Sequence, residues 1–200
     1  KSKLGFRHIF GRRKVPTTVV SAVLSRVLRG IHEQMQLFWH DLCLTGLGRP
    51  FTRGWDIDST TEFVSHLKDI NSMLERKDSI LSDVVGMATR DFSALYPSIE
   101  QDDMLRRIGY AIDAVFEKKR LDGKVVMLLG THHRDLPQWS DGNTQSAAIR
   151  VDANIAKDWL RFVVKNTYVE FGGSVYLLVI GFPIGTNCGP QLAKNYLSTY

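Results

Sequence analysis

The chain has 200 residues, of which 44% are hydrophobic, enough to bury one substantial core or one lobe of a larger enzyme. It contains no run of eighteen apolar residues, so neither a transmembrane segment nor a membrane partner is predicted. The two cysteines, Cys43 and Cys188, are too few for a disulfide framework and have no metal-ligand spacing around them. They indicate a reducing, intracellular compartment.

The formal net charge of +5 is unevenly distributed along the chain. The residues before Glu33 carry eight basic and no acidic side chains, so the remainder sums to −3. A concentrated basic end favours contact with the phosphates of a nucleic acid or a triphosphate, although a solvated basic face gives the same pattern. The chain begins at Lys1 without a secretory leader, and we expect it to be a segment of a longer protein.

The first part of the chain predicts a short strand, a long helix and a loop. Residues 5–10 alternate loosely between apolar and polar, as a strand does. Pro16 lies where a helix begins, since the N–H that proline lacks is not needed there. Residues 45–58 contain three glycines and Pro50, which favours a loop. The helix between them is predicted from apolar residues at helical spacing, namely Val20, Val23, Leu24, Val27, Leu28 and Ile31.

Two capping boxes predict the next helix starts. Ser59 and Glu62 have the spacing at which a hydroxyl and a carboxylate reciprocally satisfy free N–H groups, and Ser98 and Gln101 repeat it. Between the two boxes an apolar run predicts a strand that ends at Asp91. The buried stripes expected on the two helices are Phe63, Leu67, Ile70 and Leu74, then Met104, Ile108, Ile112 and Val115.

The second half of the chain is predicted to contain a strand, a polar loop, a helix and a β-hairpin, followed by a glycine-rich segment. Val125 to Leu129 favour a strand, and residues 132–143 a polar loop. Helix signals begin at Asp152 and continue through Ile155, Trp159, Phe162 and Val163. A Gly-Gly pair at 172–173 between two apolar runs predicts a β-hairpin over 167–180. This order of elements favours an α+β fold.

The string Asp91-Phe-Ser-Ala-Leu-Tyr96-Pro-Ser-Ile99 is the strongest indication of chemistry in the chain. It sets a carboxylate at the end of a strand-like run, with an aromatic ring five residues further on. Template-directed nucleotidyl transfer uses carboxylates to hold divalent cations, and Mg²⁺ prefers such oxygen ligands. Asp91 and the backbone carbonyl of Phe92 are therefore candidate metal ligands. The alternative is that Asp91 only ends a buried strand and caps the turn before Pro97.

This string resembles motif A of reverse transcriptases. The later string Gly181-Phe-Pro-Ile-Gly185-Thr-Asn-Cys-Gly-Pro190-Gln-Leu-Ala193 resembles their motif B, in the form found in Penelope-like retroelements. Residues 166–172 are similar to the segment that this family places before motif B, and residues 3–24 contain strings that resemble its fingers region. The similar segments cover roughly residues 1–118 and 155–200, in the family's order.

The resemblance implies a fold and a function. It implies an α+β fold comprising the fingers and a partial palm of a right-hand polymerase. The fingers-like region spans residues 1–80, and the partial palm spans 81–200 with an uncertain insertion at about 119–150. The implied activity is RNA-directed DNA polymerisation by two-metal nucleotidyl transfer with Mg²⁺ or Mn²⁺. The implied partners are an RNA template, a DNA primer and deoxynucleoside triphosphates, in a nuclear retroelement protein; no oligomeric state is indicated.

The resemblance also implies roles for individual residues. Asp91 matches the catalytic, metal-binding carboxylate, the Phe92 carbonyl matches a second metal ligand, and Tyr96 matches the steric gate that prefers deoxyribonucleotides. The other matching nucleotide contacts are Lys3 and Arg7 in the fingers and Ile184 and Gly185 in the motif B turn. Glycine suits that turn because its backbone can approach a base or sugar closely.

The chain departs from the family in one main respect. The family has a pair of adjacent aspartates downstream of motif B, and this chain reaches Tyr200 without one. Its only such pair, Asp102-Asp103, is predicted to be a charge pair in the first turn of a helix. We therefore expect the isolated 200-residue segment not to polymerise DNA.

Two other functions remain open from the sequence. The motif A string also resembles family B DNA polymerases, but the lysine-rich helix and the Asn-Ser-x-Tyr-Gly string of those enzymes are missing here. An inactive or domesticated reverse transcriptase-like domain that only binds nucleic acid would keep the basic start of the chain without needing the aspartate pair.

Overall fold

The computed structural model describes residues 17–46, 59–76, 95–132, 135–143, 149–182 and 185–199. The predicted strands at 5–10 and before Asp91 lie outside these residues, as does most of the predicted 45–58 loop. The described part mixes helices with small sheets. In chain order its elements are α1 (Thr17–Gly46), α2 (Thr60–Glu75), α3 (Leu95–Ser98), α4 (Gln101–Leu121), β1 (Val126–Leu129), β2 (Gln138–Ser140), β3 (Ile149–Val151), α5 (Ala153–Lys165), β4 (Tyr168–Phe171), β5 (Ser174–Leu177) and α6 (Gly189–Leu197). None of the described helices combines the length and the apolar character needed to cross a bilayer.

Helix α1 confirms the long amphipathic helix predicted from the apolar spacing. Leu24, Leu28 and Ile31 have no exposed surface, and each contributes about 1.5–3 kcal/mol through burial. The helix continues to Gly46, so the predicted loop starts later than expected. Gly30 lets α1 approach the sheet, because a Cβ atom there would lie 3.1 Å from the Pro137 side chain.

The core is formed mainly by α1, α4, α5 and α6, with β1 and β3 beside them. The α4 stripe is confirmed, since all four of its predicted members are fully buried. On α5 the buried positions are Ala156, Leu160, Val163 and Val164. Phe162, one of the residues from which this helix was predicted, is 39% exposed. Because α1 shares this core with the later helices, residues on both sides of position 80 pack together; the proposed division into fingers and palm stays a prediction.

The predicted buried stripe of α2 is wrong. None of residues 60–75 is buried, and Phe63, Ile70 and Leu74 are each 39–41% exposed. Helical spacing of apolar residues shows which face a helix offers for packing, but not whether another element covers that face. The helix start was predicted correctly, since the Ser59 hydroxyl accepts a hydrogen bond from the Glu62 N–H at 3.1 Å.

The second predicted capping box does not form. Helix α4 starts at Gln101, and Glu100 occupies the cap position without a capping hydrogen bond from its side chain. The Ser98 hydroxyl instead donates to the Leu95 carbonyl at 3.2 Å, inside the preceding turn. The Gln101 side chain turns away from the helix end and donates to backbone carbonyls of the chain after β5.

Strands β1, β2 and β3, which lie in or at the edge of the uncertain insertion at about 119–150, form a three-stranded antiparallel sheet. Strand β1 is central, with β2 and β3 on its two sides. The β1 prediction is confirmed, but β2 lies inside the predicted polar loop, and β3 was not predicted. Both are three residues long, too short to show the two-residue alternation that identifies a strand.

The hairpin was predicted correctly. Strands β4 and β5 pair in antiparallel register, with Phe171 opposite Ser174. Gly172 and Gly173 have φ angles of 60° and 79°, as both central residues of a type I′ turn require. Strand β5 ends at Leu177, three residues before the predicted end at Ile180.

Candidate functional site

The predicted site residues are divided between the described and undescribed parts of the chain. Tyr96 and Gly185 are described. The others, Lys3, Arg7, Asp91, Phe92 and Ile184, lie outside the described residues. The described part of the site therefore consists of Tyr96 and the described residues between β5 and α6.

Tyr96 lies on the short helix α3 and is partly buried. Its ring meets the ring of Phe182 edge to face, with centroids 4.9 Å apart and an interplanar angle of 61°. Phe182 is 3% exposed and belongs to the hydrophobic core. The edge-to-face contact thus fixes one side of the Tyr96 ring against the protein interior.

Two backbone hydrogen bonds join the Tyr96 segment to the segment before α6. The Gly181 N–H donates to the Ile99 carbonyl at 2.7 Å, and the Phe182 N–H donates to the Tyr96 carbonyl at 3.1 Å. The Gln101 amide adds two more by donating to the carbonyls of Leu178 at 2.9 Å and Gly181 at 3.0 Å. The strings that resemble motifs A and B therefore adjoin each other through two backbone hydrogen bonds, and Gln101, two residues after the first string, adds two more.

Gly181 is required by this contact. Its φ angle is +72°, and a Cβ atom placed there would lie 2.5 Å from the Tyr96 carbonyl oxygen and 2.7 Å from the Cα atom of Pro97. Both neighbours are backbone atoms, which cannot rotate away as a flexible side chain does. No larger residue fits without separating the two segments.

Gly185 lies on the exposed turn that leads into α6. Its φ angle of 114° is one that side-chain-bearing residues rarely adopt, so a glycine is needed there for the turn itself. Three residues later Cys188 is fully buried, and this burial raises the pKa of its thiol to about 12. Cys188 is consequently a neutral core residue and not a nucleophile.

Helix α6 is held against α1 by polar contacts at successive turns. The side-chain amides of Asn187 and Asn195 donate to the carbonyls of Thr18 at 3.2 Å and Leu28 at 3.0 Å. Between them Ser25 donates to Gln191 at 3.1 Å. The numbers of the contacting residues rise together on the two helices, so α1 and α6 run parallel. These contacts fix the start of α6, and with it the position of the turn at Gly185.

The Asp102-Asp103 pair lies in the first turn of α4, as predicted. Asp103 accepts hydrogen bonds from the Tyr196 hydroxyl at 2.8 Å and the Arg107 Nε atom at 2.9 Å, and also pairs with Arg106. The Tyr196 hydroxyl, followed by the two arginines, holds the pKa of this carboxyl below its usual value. Asp103 therefore links α4 to α6 and is not available as a metal ligand.

The two candidate metal ligands, Asp91 and the Phe92 carbonyl, lie outside the described residues. Among the described residues there is no group of three or more His, Cys, Asp or Glu side chains that could hold a metal ion. Binding of Mg²⁺ or Mn²⁺ by Asp91 and the Phe92 carbonyl therefore stays a prediction.

Sequence reasoning missed three residues that build this site. Gln101 and Gly181 join the two motif segments, and Asn195 fixes α6 on α1. Gln101 had a signal, because a glutamine at a helix start is expected to make a hydrogen bond, but the predicted partner was wrong. Asn195 carried no such signal in the sequence; it is fully buried, and a buried asparagine needs a polar partner.

Comparisons of this chain with protein-family models, with curated proteins and with solved structures found no match.

Proposed function

We propose that this chain forms the fingers and part of the palm of a reverse transcriptase, an RNA-directed DNA polymerase of a retroelement. The observation that supports the proposal best is the contact between the segments 95–101 and 178–182. These segments overlap the end of the string that resembles motif A and the start of the string that resembles motif B, and they are about eighty residues apart in sequence. Hydrogen bonds at 2.7–3.1 Å and one aromatic contact join them.

A polymerase needs that proximity for a physical reason. The carboxylate and ring of the motif A string and the glycine turn of the motif B string have to reach the same bound nucleotide. Orientation of reacting groups supplies a large part of enzymatic rate enhancement. Four hydrogen bonds between the segments would keep that orientation fixed during turnover.

Each proposed site residue has a distinct role. Asp91 and the Phe92 carbonyl would hold Mg²⁺ or Mn²⁺, which when bound supplies electrostatic stabilisation of the attacking and leaving oxygens. Lys3 and Arg7 would neutralise the triphosphate of the incoming deoxynucleotide. Tyr96 would lie against its sugar.

The motif B turn would complete the nucleotide site. Ile184 and Gly185 would pack against the nucleotide and the RNA template, with the DNA primer beside them. Gly185 is exposed and lies on a turn fixed by α6, which suits such a contact.

The steric role of Tyr96 gives a direct test. In the full-length protein, Tyr96→Ala is expected to raise ribonucleotide incorporation relative to deoxyribonucleotide incorporation by at least tenfold, because space opens at the sugar 2′ position. Tyr96→Phe keeps the ring and should keep the discrimination. Tyr110→Ala is the matched control, since that tyrosine is 75% exposed on α4. If Tyr96→Ala left the ratio of ribonucleotide to deoxyribonucleotide incorporation unchanged, Tyr96 would not act as a steric gate. That result would also weaken the polymerase proposal.

A second candidate is a reverse transcriptase-like domain that binds nucleic acid without catalysis. The observation that favours it is the charge of +8 before Glu33, which suits phosphate contact without requiring a catalytic carboxylate. Nucleic-acid binding with no deoxynucleotide incorporation by the full-length protein would support this candidate. We also propose nuclear residence, on the resemblance alone.

A further inference from the structure

A recess of about 410 Å³ lies between the start of α4 and the end of α5. It is lined by Asp102, Leu105, Arg106, Arg161 and Lys165, which together carry three positive charges and one negative charge. The rim is open to water, since the side chains of Asp102 and Arg106 are 75% and 69% exposed. The recess does not include Tyr96, Gly181 or Gly185.

Two of the three cations in the recess already have carboxylate partners. The Lys165 Nζ atom lies 2.7 Å from Asp102, and Arg106 pairs with Asp103. Arg161 differs from them, because it makes no ion pair or hydrogen bond within the described part of the chain. Arg161 lines the recess together with Arg106 and Lys165, and a guanidinium group has five donors and no acceptor.

Arg161 is also the middle member of a basic line along α5. Lys157, Arg161 and Lys165 are spaced four residues apart, which places them on one side of the helix at steps of about 6 Å. Lys157 is bound to Asp113 across the helix pair at 2.6 Å. The ion pairs at both ends hold α5 against α4 and leave the central charge for a ligand.

We propose that this recess binds a phosphate group of a nucleic-acid backbone and that Arg161 makes the direct contact. An open recess with one unpaired cation gives a single free phosphate little affinity. A polymer gains from several such contacts made at once, and each charge it neutralises releases a counterion. The inference rests on the proposed nucleic-acid binding but not on catalysis, because backbone binding here requires neither Asp91 nor Tyr96.

The test compares binding of a fluorescent single-stranded RNA oligonucleotide to the purified chain and its variants over a range of salt concentrations. Arg161→Ala is expected to weaken binding about three- to tenfold at low salt and to reduce the salt slope by about one. Arg161→Lys should keep most of that slope, since the charge remains. Arg120→Ala is the matched control, because it removes another exposed arginine, one that pairs with Glu117 at the other end of α4.

The remaining arms of the experiment distinguish the sources of phosphate. Inorganic phosphate and vesicles containing phosphatidylserine are tested against the same variants, and neither is expected to show a response that depends on Arg161. Equal weakening by Arg161→Ala and Arg120→Ala would overturn the proposal, because the effect would then follow net charge and not the recess. It would also be overturned by Arg161-dependent binding to vesicles without RNA binding, or by the absence of RNA binding altogether.

Discussion

Gly181 and Tyr96 approach each other so closely that a single added carbon at Gly181 would lie 2.5 Å from the Tyr96 carbonyl oxygen. The adjoining Phe182 N–H donates to that same oxygen at 3.1 Å. The position of the Tyr96 ring therefore depends on a residue about eighty positions later in the chain.

Gly181→Ala is expected to destabilise the fold by about 2–5 kcal/mol. Roughly 1–2 kcal/mol comes from the left-handed backbone conformation, and the remainder from overpacking against fixed backbone atoms. Chemical denaturation measures the free energy of unfolding. Gly173→Ala is the control, because Gly173 has a similar φ angle of +79° with no atom within 4 Å of the added carbon. Equal losses of unfolding free energy in the two variants would show that the contact with Tyr96 contributes nothing to stability.

Gln101→Leu is expected to cost about 1–3 kcal/mol of stability. The change removes both hydrogen bonds that the amide donates to Leu178 and Gly181, and leaves those carbonyls without that donor. Gln138→Leu provides the comparison, since Gln138 is an exposed glutamine on β2. The same denaturation experiment measures both variants. A Gln101→Leu protein as stable as the control would contradict the bridging role of this side chain.

The stability of the fold should fall in acid partly through Asp103. Its pKa is held below the ordinary value of 3.8, first by the Tyr196 hydroxyl and then by Arg106. A carboxyl with a lowered pKa stabilises the folded state above its unfolded pKa and loses that contribution as the pH falls toward its folded pKa. Unfolding free energies measured from about pH 5 downward should therefore decline less steeply in Tyr196→Phe than in the wild type.

Tyr110→Phe is the control for that pH dependence. Tyr110 lies on α4, the helix that carries Asp103, and is 75% exposed. The loss of its hydroxyl should leave the dependence of unfolding free energy on acid pH unchanged. If Tyr196→Phe and the wild type gave superimposable profiles, the hydrogen bond from Tyr196 would not be the main cause of the lowered pKa.

The sequence predicted well what depends on neighbours along the chain. The buried stripes of α1 and α4, the Ser59 cap and the Gly172-Gly173 turn were all correct because each follows from spacing within one element. The α2 stripe was wrong because burial needs a second element, and the apolar spacing of Phe63, Ile70 and Leu74 carries no information about one. Strands β2 and β3 are too short to show a period.

The residues of the candidate site stay a prediction, and the contacts found around Tyr96 could not be predicted from the sequence. The strings around Tyr96 and Gly181 could be identified separately. Their juxtaposition depends on Gln101, whose side chain was expected at a helix cap and instead spans to the segment after β5. Long-range hydrogen bonds of this kind leave no periodic trace in a single sequence.

The proposed function depends above all on Asp91 as the carboxylate of nucleotidyl transfer. The most direct measurement is primer extension on an RNA template by the full-length protein carrying Asp91→Asn, with template binding measured in parallel. Asp113→Asn, an exposed aspartate on α4, is the matched control and should extend primers at the wild-type rate. We predict that Asp91→Asn loses at least a thousandfold in incorporation rate while binding the template as the wild type does. Wild-type extension by the Asp91→Asn protein would contradict the account.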